Sequence, residues 1–465
     1  MIHRYNRRHP RAGVFVGLTG ATLVLAAVLA AGQPPAAPPA RRLPLLPYQT
    51  RSLTLGTVTC ASSLCHGSVT EWKGSHVRQD EYIIWSRTDR HARATLVLLN
   101  ERSRRIASNL GLPEPAHKSK ICLDCHAHNP DSTLQGPRFK VTDGIACEAC
   151  HGPAERWVAS HTAPEATHSQ NLANGLYPTA EPLARARLCL SCHLGNTDRF
   201  VTHRMMGAGH PRMSFELDTF SSIGPAHFTV DEDYRERKGS WDEVKFWAIG
   251  QAVAVSQRMD LMTSPRGRDG LFPELVLFDC HACHHPMSEG RWKPKTAFGP
   301  SPGPGVARLN ESNMLMLRAI ARQVDARLAA QLDASVSRLS AAVAGQGDLA
   351  AEAMALRDLA EHAAARIEAS SFGEASLRDL ALTLLDEGLA GHYSDYAAAE
   401  QASMAIGSVA STLRARGLLR DPAAFNRALG ALRDALANDE TFKPAEFQKR
   451  LLTLRALVDR PRAAS

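Results

Sequence analysis

The sequence predicts a mainly α protein in two unlike parts, a Cys/His-rich region of short helices and loops followed by an α-helical bundle. Three observations predict it. All ten Cys fall in pairs closed by a His, and the last of them is Cys283. A Pro/Gly-rich stretch from Trp292 to Gly305, WKPKTAFGPSPGPG, interrupts the chain. Beyond it Ala, Leu, Arg and Glu dominate, and apolar residues recur at steps of three and four.

In chain order, Met1 to Pro10 is basic, and Ala12 to Ala31 is an uninterrupted apolar run ending in small residues. Residues 1–32 therefore read as an export signal. The run is also just long enough to span a bilayer, so an uncleaved membrane anchor stays open. Either reading puts the rest of the chain in the periplasm, free or tethered to the inner membrane. Residues 33–52 form a Pro-rich spacer, QPPAAPPARRLPLLP, that cannot be helix or central strand.

Residues 53–292 hold the motifs. They are Cys60-Ala-Ser-Ser-Leu-Cys65-His66, Cys122-Leu-Asp-Cys125-His126, Cys147-Glu-Ala-Cys150-His151, Cys189-Leu-Ser-Cys192-His193 and Cys280-His-Ala-Cys283-His284. Disulfides, structural zinc and thiol redox sites also use paired cysteines, but none requires His directly after the second. With 20 His in 465 residues, five such coincidences have a chance of about 10⁻⁷. Two thiols one turn apart, followed by an imidazole, suit covalent haem attachment with the His as proximal iron ligand. The cofactor expected is c-type haem (heme c), five per chain. The first motif has four residues between its cysteines, so a longer loop must close it. The region is poor in aromatics and its inter-motif segments are short, so the porphyrins supply much of the apolar volume, and folding depends on them. The fold class is thus a multihaem c-type domain wrapped around stacked haems, followed by a cofactor-free bundle.

Low-spin c-type irons need a sixth ligand, His or Met. Eleven further His crowd between His76 and His285. His91 and His161 are well placed on short helical segments, and His203 and His210 share one segment. His117 is a further distal candidate, with His227 weaker still. Met205 and Met206 read as flexible packing. His285 adjoins His284, which argues against its serving the same iron and leaves it free to serve another haem.

Residues 293–305 are the linker and 306–465 the helical domain. Ile320, Val324, Leu328, Leu332, Val336, Leu339 and Val343 predict one face of a single long helix. Ser371 with Glu374 predicts a capping box, and Asp421-Pro422 an N-cap with Pro at the first helical position. Further helices are expected near Leu377–Leu389, Tyr393–Arg416, Pro422–Ala437 and Pro444–Val458.

The formal charge of +7 falls to +3 without Arg4, Arg7, Arg8 and Arg11 of the leading segment, and haem propionates lower it further. Nucleic acid is not indicated as a partner.

Residues Cys60 to about His210, a third of the chain, resemble the multihaem cytochrome c-554 family. The likeness rests on Trp85…His91-Ala, on Cys122–His126 followed by Thr142-Asp-Gly-Ile-Ala-Cys-Glu-Ala-Cys-His-Gly-Pro153 with His161 downstream, and on Arg187-Leu-Cys-Leu-Ser-Cys-His193-Leu. The resemblance implies haems stacked in close pairs. It implies that His91 and His161 ligate haems other than their immediate neighbours, and that the haem at Cys122–His126 lacks a strong sixth ligand. The CxxxxCH motif, the fifth site and the C-terminal domain depart from the family pattern.

The expected function is electron transfer between periplasmic or membrane redox proteins acting as donor and acceptor. The alternative is an oxidoreductase acting on a small nitrogen or sulfur compound, which needs one five-coordinate haem with acid–base groups above it. Cys122–His126 is its candidate site, with His117 or His128 nearby. For the C-terminal helices the choice lies between shielding the haem region and docking a partner.

Overall fold

A computed structural model describes residues 44–224, 226–239, 242–268, 273–284, 294–300 and 303–458. The export or anchor segment, most of the Pro-rich spacer, His285 and Trp292 lie outside the described residues. Among the described residues there are helices and two isolated bridges, Thr54–Gln135 and Phe278–Leu309, and no strand. The fold is mainly α, as the composition and motif spacing predict. None of the described helices is long and apolar enough to cross a membrane.

The first half holds short helices: α1 Glu81–Thr88, α2 Glu101–Leu110, α3 Lys120–His126, α4 Cys147–His151, α5 His168–Ala173, α6 Pro182–His193, α7 His203–Gly207, α8 Leu217–Ile223 and α9 Glu232–Lys238. Between Leu45 and Ile223 they support small apolar clusters, such as Ile106, Leu110, Val201, Met205 and Ala208. Leu98, Ala107 and Ala116 form another, and Leu46, Tyr177 and Ala184 a third. Isolated helices this short are marginal in water, so tertiary partners must hold them.

The second half is built on α10 Glu243–Thr263, α11 Ser312–Val324, α12 Ala326–Val343, α13 Leu349–Glu368, α14 Glu374–Leu389, α15 Tyr396–Ala415, α16 Pro422–Asp434 and α17 Pro444–Val458. Helix α10 starts at Asp242, whose side chain accepts a hydrogen bond from Lys245 N at 3.0 Å. It is apolar nearly all round, with Val244, Trp247, Ile249, Ala252 and Val255 wholly inaccessible, as expected of a helix surrounded by others. It packs on α13, α6, α11 and α8. Small residues allow the close approaches. A Cβ on Gly250 would stand 2.9 Å from Leu217 Cβ, and α13 turns Ala353, Ala360 and Ala363 inward. One continuous apolar core therefore runs from Ala186 and Leu190 on α6 through α10 to Val458. Helix α10 lies before the Pro/Gly stretch in sequence, yet it shares the core of the helices after it.

Two local expectations are corrected. The single long helix from Ile320 to Val343 is two, because Asp325 (φ −162°) ends α11 and caps α12 by accepting from Arg327 N and Leu328 N. The apolar period continues across the break because both helices face the same core. Gly373, not Ser371, is the N-cap of α14, and it makes no side-chain capping bond. Asp421 caps α16, accepting from Ala424 N at 2.8 Å with Pro422 at the first helical position.

Candidate metal centres

Each motif is folded so that its cysteines and histidine project from one turn. In α3, α4 and the end of α6 the two thiols and the His occupy a single helical turn. At Cys280 a 3₁₀ turn does this, with Asp279 accepting from His281 N at 3.0 Å. In the first motif the extra residues form a tight return. Cys65 N donates to Ser62 O at 2.9 Å and His66 N to Cys60 O at 3.1 Å, which brings His66 back beside Cys60. None of the ten cysteines is paired in a disulfide.

Opposite every motif histidine stands a second imidazole. Ring centroids are 6.3 Å apart for His66 and His161, 6.0 Å for His193 and His91, and 6.4 Å for His126 and His210. They are 6.1 Å apart for His151 and His227, and 6.0 Å for His284 and His203. A metal bonded on opposite sides by imidazole nitrogens at about 2.0–2.1 Å sets the centroids about 6.3 Å apart. Ordinary aromatic contact covers the same range, about 4.5–7 Å, so distance alone does not decide. Two features do. Each pair joins one motif His to one His outside the motifs. In addition, Nδ1 is already satisfied by oxygen on His66 (Glu81, 2.9 Å), His91 (Asp89, 3.0 Å), His126 (Ala94 O, 3.2 Å), His161 (Val158 O, 2.7 Å) and His210 (Pro211 O, 2.8 Å). An oxygen on Nδ1 fixes the tautomer and leaves Nε2 for a metal.

The carboxylates of Glu81 and Asp89 raise the pKa of His66 and His91. Burial acts the other way on the inner rings, lowering His193 to about 4 and His151 to about 3 and keeping them neutral, the form that ligates. His128, the ring once paired with an enzymatic role, is 4% exposed, shares a hydrogen bond with Thr54 Oγ1 at 3.1 Å, and is held by burial at about 4. It is a core histidine. His117 is exposed and belongs to none of the five pairs. Met205 is buried against Ile106 and Val201, a packing role. The distal candidates His91, His161, His203 and His210 each face a motif histidine. The fifth such position falls to His227, in an irregular loop before α9 whose sequence carries no helical signal. Its only hint was its place in the His-dense stretch.

Thiols of different motifs also meet. The sulfurs of Cys60 and Cys147 lie within contact of each other, as do those of Cys125 and Cys192. Cys150 lies close enough to feel Cys189 and Cys192.

Glu148, inside the third motif, ties the region together. It is 2% exposed and accepts from Leu55 N and Gly56 N at 2.8 Å and from Ala154 N at 2.7 Å. The turn after it needs Gly152 (φ 85°), where a Cβ would lie 2.6 Å from Gly175 O. A Glu148→Ala change strands three buried donors at about 1–3 kcal/mol each. The expected loss is at least about 3 kcal/mol in denaturant unfolding of the holoprotein, with Glu148→Gln intermediate. A loss under about 1 kcal/mol would refute the role.

Cys–Cys–His turns on a mainly α frame define a c-type cytochrome, with covalently bound haem c and electron transfer as its business. Residues 59–152 match the family described as cytochrome c554 and c-prime, a stretch of about a fifth of the chain that takes in the first three motifs. Proteins of this kind work outside the cytoplasm. No curated protein and no solved structure matches the chain significantly.

Proposed function

We propose that the chain holds five haem c groups, each iron gripped by two histidines, and relays electrons along them between periplasmic or membrane redox partners. The observation that carries this is the set of five facing pairs: His66 with His161, His126 with His210, His151 with His227, His193 with His91, and His284 with His203. When bound, haem supplies a one-electron iron couple whose potential the axial ligands and surroundings tune. Two imidazoles on an iron leave no position for a substrate. The Cys122–His126 site, which the family likeness left open, has His210 opposite it, and this weighs against the oxidoreductase alternative.

Cysteine neighbours support an order for the relay: the first site beside the third, the third beside the fourth, the fourth beside the second. His203, the first residue of α7, and His210, three residues past its end, bring the fifth site next to the second. The protein's own part is to fix ring orientation through Glu81, Asp89 and backbone carbonyls, and to exclude water.

Intact-mass measurement should find five haems, and paramagnetic resonance of the oxidised protein should show only low-spin iron. The pair at 13° between ring planes should give a low-spin signal distinct from the three pairs at 74–81°. A high-spin signal in the native protein overturns full two-histidine ligation and revives the enzyme.

A further inference from the structure

Beside the fifth motif a buried cation has no anion against it among the described residues. Arg258 lies on α10, two turns before its end. The residue keeps some exposure, but its Nε and Nη1 are inaccessible and find no acceptor among the described residues. The groups close enough to act on it are the Cys280 thiol and a second guanidinium, Arg212. Arg212 is already matched, since Glu400 takes both its nitrogens at 2.9 and 3.1 Å and the Tyr396 ring lies 5.1 Å from it. The nearest carboxylates to the motif are matched as well. Lys295 bridges Asp279 and Asp395 at 2.8 and 2.9 Å. Arg258 therefore stands desolvated beside a haem attachment cysteine, next to another cation, with no negative charge assigned to it among the described residues. Burying a guanidinium in that state is strongly unfavourable unless an anion arrives with good hydrogen-bond geometry. A snorkelling arginine would instead put these nitrogens in water.

We propose that Arg258 is the anion grip of the fifth site and binds a propionate carboxylate of the haem attached at Cys280 and Cys283. The planar fork suits a carboxylate, and Arg212, held in place by Glu400, adds to the positive field. Reduction adds one negative charge to the haem, so a cation fixed at its edge favours the reduced form and raises the site's potential. Arg258 thus positions the fifth haem and sets its potential. This rests on the reading that a fifth haem is bound.

The test is spectroelectrochemical titration of the holoprotein with its haem count measured by intact mass. Arg258→Met should keep five haems while one of them becomes harder to reduce. The reduced-to-oxidised ratio of that haem at fixed potential should fall about tenfold, 59 mV for one electron. Arg258→Lys, keeping the charge without the fork, should shift the same haem by less. Five haems with every potential unchanged in both variants overturn the inference and leave the relay intact. Should Arg258→Met not accumulate, the lysine variant decides alone: an unchanged set of potentials overturns the inference, and a lowered one supports it. Four haems in the native protein would instead overturn the reading of the fifth site.

Discussion

Replacing His161 by alanine should leave five haems covalently attached and turn one iron high-spin, that of the Cys60–Cys65–His66 site. The attachments survive because thioethers do not depend on the sixth ligand. The affected site is not the nearest in sequence. His161 follows His151 by ten residues, but its ring stacks 6.3 Å from His66 at an interplanar angle of 13°. It is aimed there by Val158 O on Nδ1 and by the edge of Trp157, 5.3 Å away. His151 keeps its own partner, His227. The matched control is His227→Ala, which should convert the Cys147–Cys150–His151 haem instead. Site-resolved potentials should distinguish the two variants, since losing an imidazole donor alters the couple at that iron. A wholly low-spin spectrum for His161→Ala would refute the pairing.

Truncating Arg318 to alanine should destabilise the helical half by about 3–5 kcal/mol, the cost of leaving a buried partner charge uncompensated. Arg318 is 1% exposed, reaches Glu387 and the Ala297 carbonyl, and lies 4.4 Å over the Phe298 ring. Glu387 is 5% exposed, and burial by itself would raise its pKa. The hydrogen bond from His392 and the charges of Arg318 and Arg322 outweigh that and hold it at about 2. A depressed carboxylate contributes stability above its unfolded pKa and loses it as pH falls through the folded one. The window here is therefore about pH 4.5 down to 2, worth on the order of 3 kcal/mol. Denaturant unfolding of the native protein at pH 7 and pH 3 should show about 2 kcal/mol of that loss, and Arg318→Ala should flatten it. Equal pH dependence in both proteins would exclude Glu387 as its source.

The motifs were legible because their chemistry is local. Two thiols and an imidazole within one turn need no tertiary information, and the same holds for the Asp421-Pro422 helix start. The histidine that faces each motif histidine was legible only as a density of histidines. His91, His161, His203 and His210 stood out because turns and short helical segments surround them, whereas His227 sits in an irregular loop. His117 looked equivalent in sequence and is exposed. Helix α10 escaped notice for a different reason. A helix buried on all sides carries no 3.6-residue alternation to read, only apolar length. The break at Asp325 was hidden by the opposite effect, since two helices facing one core continue a single period across it.

The sequence by itself determined the class: the cofactor chemistry at each Cys–Cys–His turn, the mainly α fold, and the helical nature of the second half. All of these follow from contacts spanning a few residues. Tertiary structure decided which histidine faces which, that His210 stands opposite His126, that α10 joins the core of the later helices, and that Arg258 is buried with no anion against it among the described residues. The reason is physical. Partners such as His66 and His161, or His126 and His210, lie far apart along the chain, and only the packed fold sets the few ångströms between them on which ligation depends.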